Sequence, residues 1–308
     1  MDLFPSISDY KKTGGTVVTL GTFDGVHIGH RKIISRLTAA AKEESAQSLV
    51  LTFFPHPRMV LKSGEGVKLL STMYEKARLL ADLGLQSLVV HPFDADFSQM
   101  SAEEFVSEVL VKSFGTKKII VGHDHRFGKD RSANFDDLVR FGEQFGFKVE
   151  QIPAEQIDDI SVSSTKIRNA LAQGDIPLAN SYLGYEYLIG GTVVHGKKLG
   201  RTIGFPTANI SLNDSGKLIP SNGVYAVKSN IDGREVLGMM NIGNRPTVDG
   251  NNLSIEVNYF DFDADLYDRE IEVFFVERLR DEQKFASIDA LKEQLHADMS
   301  SAKKILSK

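Results

Sequence analysis

Along the first 183 residues, short β-branched runs alternate with stretches whose apolar residues recur at helical spacing. The runs Thr16–Leu20, Ser48–Phe53, Gln86–His91, Lys118–Val121 and Phe147–Ile152 read as strands. These β-branched runs are of strand length. Helical patterns fall near 29–44, 71–83, 101–113, 134–145 and 164–173. In the first of these, Ile33, Ile34 and Leu37 share one face ahead of an Ala-rich turn, which favours helix by both pattern and propensity. Strand–helix alternation predicts an α/β fold with a doubly wound parallel sheet. Ligands of such sheets sit beyond the C-terminal strand ends, where loops feed helix N-termini.

After Gly184 the rhythm changes. Tyr187–His195, Val224–Ser229, Glu235–Ile242, Leu253–Phe260 and Glu270–Val276 follow one another as strand patterns without intervening helices. Asp232-Gly233 supplies the positive φ of a tight hairpin turn. Successive antiparallel strands predict a small β-barrel. From Ser287 to about Leu306, Ile288, Leu291, Leu295 and Met299 mark one face of a terminal amphipathic helix. The expected domains are therefore residues 1–183, Rossmann-like, and 184–308, an antiparallel barrel with a terminal helix.

Composition narrows the function classes. Of the 308 residues 42% are hydrophobic and 25% charged, and the formal net charge is -5. These values fit two ordinary soluble domains, with no global field toward nucleic acid or anionic membrane. Cysteine is absent, which removes disulfides, thiolate nucleophiles and Cys-type zinc sites and fits a reducing compartment. The first twelve residues lack an apolar core, and no apolar run reaches membrane-spanning length. The expected location is the cytoplasm, and the expected partners are small molecules. No sequence pattern specifies or forbids homo-oligomers.

Candidate chemistry begins in the string Gly21-Thr22-Phe23-Asp24-Gly25-Val26-His27-Ile28-Gly29-His30, between the first strand and the first helix. Its glycines let the backbone turn sharply and approach a ligand. His27 and His30, three apart at a helix start, can face the same way. Backbone amides there favour phosphate, and imidazoles add hydrogen bonds or charge. Two structural histidines beside a turn would be the commoner meaning of an isolated pair. Zinc is disfavoured, since neither a His-Glu-x-x-His pattern nor a third ligand is evident. A His-x-Gly-His nucleotidylyltransferase site is the third reading, favoured by position.

Three later segments lie at comparable loops: Thr52-Phe53-Phe54-Pro55-His56-Pro57, Val121-Gly122-His123-Asp124-His125-Arg126-Phe127-Gly128, and Ser161-Val162-Ser163-Ser164-Thr165-Lys166-Ile167-Arg168. The last can cap a helix or bind phosphate. In the second half, Gly191–Asn209 contains His195-Gly196-Lys197-Lys198-Leu199-Gly200-Arg201 and Gly204-Phe205-Pro206-Thr207-Ala208-Asn209. It is no Walker A loop, because the Gly-Lys-Ser/Thr ending is missing. Thr207 and Asn209 offer hard oxygen donors suited to Mg²⁺ on nucleotide phosphates. Glu256 alternates with apolar residues and shares a strand face with Ser254 and Asn258; by pattern alone it is a solvent-facing strand glutamate.

Taken together, these motifs resemble, in order and from about residue 14 to about 300, those of the prokaryotic bifunctional riboflavin kinase/FAD synthetases. The resemblance implies a first half that converts FMN and ATP to FAD and pyrophosphate. It implies a second half that converts riboflavin and ATP to FMN and ADP, both with Mg²⁺. His27, His30 and Arg168 would then act on the reacting phosphates of adenylyl transfer. Gly21, Phe23, Asp24, Gly29, Ser163, Ser164 and Thr165 would hold ATP, and Pro55, His56, Pro57, Asp124 and Phe127 the flavin. In the second half Gly196, Lys197, Gly200, Arg201 and Gly204 would wrap phosphates. Thr207 and Asn209 would bind the metal, Glu256 would be the general base, and Arg280 would contact flavin or phosphate. Three positions depart from the family pattern. Phe is expected where His125 stands, and His and Gly where Asn258 and Asp268 stand. The rival readings are a nucleotidylyltransferase with another acceptor and a catalytically silent flavin- or nucleotide-binding regulator.

Overall fold

The computed structural model describes residues 1–12, 14–61, 67–123, 125–153, 162–196, 199–247 and 250–307. Their contacts divide them into two compact units, Met1–Ser163 and Ser164–Lys308.

In the first unit the strands are β1 (Asp2–Phe4), β2 (Thr16–Leu20), β3 (Gln47–Phe54), β4 (Ser87–Pro92), β5 (Thr116–Gly122) and β6 (Lys148–Ile152). They form one sheet in the order β1-β4-β3-β2-β5-β6, and every pairing is parallel. The long helices are α1 (Ile28–Glu43), α2 (Met73–Asp82) and α3 (Phe135–Phe145). Val17 and Val18, neighbours in β2, are both fully buried, so both sheet faces are covered. One core joins Val18, Leu49, Leu51 and Val121 to Phe105, Leu110 and Phe141. From β2 the sheet grows through β3 on one side and β5 on the other. This reversal opens a crevice at the C-terminal ends of β2 and β5, where such sheets bind ligands.

Helix boundaries follow local chemistry. Thr72 and Glu75 form a capping box at the start of α2, as Asn134 and Asp137 do for α3. Residues 101–113 depart from the single α-helix expected: Ala102–Glu104 is α-helical and Phe105–Ser113 is a π-helix. The Ser113 hydroxyl donates to the Glu108 carbonyl at 2.8 Å and that of Thr116 to the Leu110 carbonyl at 2.6 Å. Both compete for backbone acceptors in a way that apolar periodicity does not encode.

The second unit opens with α4 (Ser164–Gln173) and α5 (Ile176–Leu183), then β7 (Leu188–Val194), β8 (Ala208–Leu212), β9 (Gly223–Ile231), β10 (Arg234–Thr247), β11 (Gly250–Tyr259), β12 (Glu270–Arg280) and α6 (Ile288–Leu306). The unit boundary differs from the change of rhythm at residue 184 because α4 and α5 are bonded to the barrel. Ser221 N–H donates to the Leu171 carbonyl at 3.1 Å. The Asn180 amide donates to the Phe275 carbonyl at 2.9 Å and accepts from Tyr187 N–H at 2.8 Å. The strands close into an antiparallel barrel ordered β10-β11-β8-β7-β12-β9. Asp232 and Gly233 have φ of 55° and 78°, the two positive values of the expected hairpin turn. Leu295 and Met299 of α6 pack on Phe205, Met239 and Phe260. Ile288, expected on that face, is 63% exposed, because it stands in the first turn of α6.

A buried ion pair fastens α6 to β12. Asp298 is 3% exposed; its carboxylate accepts from Arg280 Nε at 3.0 Å and Nη2 at 2.8 Å, and from Gln294 at 2.8 Å. Removing one partner strands the other charge. Asp298→Ala is expected to cost about 3–5 kcal/mol, read as a lower urea midpoint for the second unit; a loss below about 1 kcal/mol would show a pair as weak as an exposed one.

Candidate functional site

The chain leaves β2 through a turn that the surrounding segments hold closely. Phe23, Gly25 and Val26 have φ of 45°, 83° and 39°, and at non-glycine residues such values cost energy. The Thr22 carbonyl accepts from the Thr52 hydroxyl at 3.3 Å and from the Lys76 ammonium at 2.7 Å. Asp24 Oδ1 accepts from Leu70 N–H at 2.9 Å and Ser71 N–H at 3.3 Å. Gly25 N–H donates to the Ser71 hydroxyl at 3.1 Å. The turn delivers His27 as the N-cap of α1, with its Nδ1 accepting from His30 N–H at 3.4 Å. Gly29 is buried in the first turn of α1, and Gly21 N–H donates to the Leu51 carbonyl.

The two imidazoles stack, with centroids 3.6 Å apart and planes 17° from parallel; Phe23 meets His30 edge-on at 5.1 Å. His30 Nδ1 is buried with no hydrogen-bond partner. Burial lowers His27 to about 4, against the partial compensation of Asp24. It pushes His30 well below its ordinary value, helped by repulsion from His27 and Lys76. Both imidazoles are therefore neutral near pH 7. The sequence left hydrogen bonding and positive charge equally open; neutral rings offer N–H groups for hydrogen bonding without a resting charge. Lys76, which carried no motif, is also buried, and desolvation lowers its ammonium to about 8.

The other expected residues of this unit divide into framework and loop. Phe127 is buried against Phe105 and bridges Ala133, so it shapes the loop from within the core. His125, where Phe is expected, keeps a ring parallel to Phe127 at 6.0 Å. His56 N-caps the short helix Pro57–Val60, with its Nδ1 accepting from Arg58 N–H at 3.1 Å. Pro55 is exposed and Pro57 half-buried beside it. Asp124 and Lys197 lie outside the described residues. Ser163 closes the first unit, whereas Ser164, Thr165 and Arg168 stand on α4 in the second.

In the barrel, β8 and β11 pair with Glu256 opposite Asn209. The Thr207 hydroxyl donates to Glu256 Oε2 at 3.2 Å, and the Ser254 hydroxyl to Oε1 at 3.0 Å. Each carboxylate oxygen is thus held by a separate donor, unlike a solvent-facing glutamate. A Cβ on Gly196 would lie 2.4 Å from the Asn209 amide, and one on Gly200 would lie 2.2 Å from the Phe205 carbonyl. These glycines let the preceding loop and the short helix Leu199–Thr202, which carries Arg201, close onto β8. Gly204 follows with φ 86°. Asn258 donates to the Pro206 carbonyl at 2.7 Å, holding the entrance to β8 from the strand that carries Glu256. Asp268, where Gly is expected, has φ 59°, a conformation that Asp tolerates better than most residues. The His195 ring lies against Tyr267, with centroids 3.9 Å apart and planes tilted by 35°. Arg280, expected at flavin or phosphate, is bonded to Asp298 and to the Asp281 carbonyl, which makes it an anchor for α6.

Among the described residues no group of three or more His, Cys, Asp or Glu could hold a metal ion, and no helix is long and apolar enough to cross a membrane. Thr207 and Asn209 beside Glu256 offer neutral oxygens next to one carboxylate. That donor set fits Mg²⁺ carried mainly by phosphates and water, not a protein cage.

Residues 9–166 match the FAD synthetase family and residues 183–306 the riboflavin kinase family. Over 290 residues the chain is 41% identical to a bifunctional riboflavin kinase/FMN adenylyltransferase from Pseudomonas fluorescens and 39% identical to one from Escherichia coli (strain K12). Each alignment covers 94% of this chain and 92% of the relative. A crystal structure described as a macrolide-efflux protein from Streptococcus pneumoniae superposes with a TM-score of 0.90 at 32% identity, covering 98% of both chains. A histidine pair at the start of the first helix after a parallel strand and a glutamate–asparagine pair across two barrel strands thus fall in two matched modules, and the chain belongs to the bifunctional riboflavin kinase/FMN adenylyltransferase family.

Proposed function

We infer that this protein makes FAD in two steps: its barrel unit phosphorylates riboflavin, and its parallel-sheet unit adenylylates the resulting FMN. The observation that carries the reading is that one chain contains two separately built sites, each inside the module whose chemistry it suits. In the barrel, Glu256 accepts the proton of the riboflavin 5′-hydroxyl as that oxygen attacks the γ-phosphorus and ADP leaves. Ser254 and Thr207 fix its carboxylate in one orientation. Mg²⁺, held on the protein side by Thr207 and Asn209, supplies charge neutralisation on the nucleotide phosphates. The loop through Gly196, Lys197, Gly200, Arg201 and Gly204 covers those phosphates with amides and short-range charge.

In the parallel-sheet unit the FMN phosphate attacks the α-phosphorus of ATP and pyrophosphate leaves. Positioning and electrostatic stabilisation dominate such a reaction. His27 and His30 donate hydrogen bonds to the reacting phosphates from the N-terminus of α1, whose unpaired amides already favour anions. Asp24 braces the loop through Leu70 and Ser71 and is not itself a phosphate ligand. Ser163, at the end of this unit, adds a hydroxyl for ATP. Pro55, His56, Pro57, Asp124 and Phe127 form or support the flavin side.

A chromatographic time course of flavin species tests the whole reading. With riboflavin, ATP and Mg²⁺, FMN should appear first and FAD follow; a halt at FMN would leave the parallel-sheet unit with another acceptor. Single substitutions should separate the sites. Glu256→Gln is expected to lower FMN formation by about 10²–10⁴-fold, the usual weight of a general base, and to leave adenylylation of supplied FMN intact. His27→Ala should do the reverse, with a loss of about 10²–10³-fold in adenylylation.

The depressed histidines also set a pH dependence of stability. Between about 6.5 and 4 an unfolded His27 binds a proton that the folded one refuses, so stability is full above this window and falls as pH falls through it. The loss from His27 alone is on the order of 3 kcal/mol. Urea midpoints of wild type and His27→Gln should converge as the pH is lowered from 7 to 4; parallel curves would show that His27 does not titrate in this way.

A further inference from the structure

Lys76 is a buried charged group of the first unit for which the reactions above have no use. It is 5% exposed, and among the described residues it forms no ion pair and one hydrogen bond, to the Thr22 carbonyl at 2.7 Å. Its neighbour Glu75 is occupied with the cap of α2, accepting from Thr72 N–H at 2.9 Å. Burying an ammonium costs far more than burying an apolar side chain of the same length unless its charge has a use. The groups that act on it from the elements packed around it are Asp24, by attraction, and His30, with which it shares mutual repulsion.

We propose that Lys76 is a positioning residue for adenylyl transfer: its ammonium holds the Thr22 carbonyl, and with it the turn that presents His27 and His30. The proposal rests on the assignment of that histidine pair to the adenylyl-transfer site. Three attachments from residues 70–76 converge on the turn from one side. They are Lys76 on Thr22, the Leu70 and Ser71 amides on Asp24, and the Ser71 hydroxyl on Gly25 N–H. The second is a carboxylate accepting from backbone amides and the third is a neutral pair; only the first brings a positive charge to the turn. The first is charge-assisted, and such bonds are roughly twice as strong as neutral ones. It acts where the positive φ values of Phe23 and Val26 make the turn most costly. Relaxation of the turn would move the α1 N-cap, and with it both imidazoles, away from the reacting phosphates; small misplacements of this kind cost rate steeply.

The charge also gives a readout that a purely structural lysine lacks. Desolvation lowers Lys76 to about 8, so its charge is lost on the alkaline side of neutrality. Between about 8 and its ordinary value of 10.5 the unfolded chain binds the extra proton. This group therefore makes folding more favourable as pH rises through that window. A decline in adenylylation near pH 8 would thus come from the site and not from unfolding driven by Lys76.

The test uses the full chain with Lys76→Met and Lys76→Arg, and reads kcat and KM for adenylylation of FMN from about pH 6.5 to 9.5, on either side of that transition. Riboflavin phosphorylation by the barrel and the thermal midpoint are followed in the same samples. Lys76→Met is expected to lower kcat about 10²-fold, with KM for FMN and riboflavin phosphorylation little changed. Lys76→Arg should recover about tenfold or more of that loss and remove the decline near pH 8, since its charge persists. The proposal is overturned if Lys76→Met keeps wild-type kcat, or if the alkaline decline survives in Lys76→Arg. Should Lys76→Met fail to fold, the pH profile of Lys76→Arg decides alone. Full adenylylation in His27→Ala would overturn the underlying site assignment instead, while an inactive His27→Ala beside an active Lys76→Met would overturn only the role of Lys76.

Discussion

The turn between β2 and α1 has to reverse the chain within a few residues and still leave the first amides of α1 open toward the crevice. Phe23 and Val26 accept positive φ in that turn, at a cost of about 1–3 kcal/mol each. The compensation comes from outside the turn. Asp24, Thr22 and Gly25 are bonded to residues 52 and 70–76, and the Phe23 ring folds back beside the place where a Cβ on Gly21 would stand and meets His30 edge-on. The strained backbone is therefore over-determined by its neighbours. This is the condition under which a site keeps one geometry before its substrate arrives. The rest of the first unit, with its parallel sheet and its reversal of strand order at β2 and β5, supplies the rigid edges on which that turn is stretched.

The barrel reaches the same end by a different route. Glu256 and Asn209 are placed opposite each other by strand register, so backbone pairing sets their separation. Hydroxyls from Thr207 and Ser254 then fix the carboxylate. Gly196 leaves out the Cβ that would meet Asn209 of β8, and Gly200 the one that would meet the Phe205 carbonyl just before it. The ion pair of Arg280 and Asp298 holds α6 against the barrel, and α6 packs on Phe205, next to Pro206 at the entrance to β8. An arginine that a motif match would send to the ligand thus stabilises the wall behind it.

What the sequence made legible depended on whether one physical signal dominated locally. Short β-branched runs located β2 to β6, alternation located most of the barrel, and Asp232-Gly233 located its hairpin. β8 was missed because it is only five residues long, Ala208–Leu212, and its alternation of Ala208, Ile210 and Leu212 follows directly on a Gly- and Lys-rich loop ending in Pro206 that reads as irregular. The π-helical turns of Phe105–Ser113 were missed because side-chain hydroxyls redirect carbonyls without altering the apolar period. The departure at Asp268 proved informative: a position where glycine is expected does have positive φ, and Asp is among the residues able to accept it. Lys76 and Asp298 could not be read at all, since a charged residue in a helical pattern looks solvent-facing until the fold buries it.

Neutral histidines are at first sight a poor choice for a site that handles a polyanion. Two imidazolium rings stacked at 3.6 Å would, however, repel one another in a pocket largely closed to water, and the cost would be met whenever substrate was absent. Held neutral by burial, the pair waits without that repulsion. A negative charge placed against such a pair would favour its protonation, so an anion would strengthen its own interaction. Lys76 and Asp24 bracket the pair with one charge of each sign, so the loop itself contributes little net field. The positive potential that draws phosphate to the crevice then falls mainly to the N-terminus of α1, whose amides are fixed in direction. A site built in this way would discriminate by geometry first and by charge second, in keeping with a protein whose overall charge is negative and whose nucleotide substrates are anions.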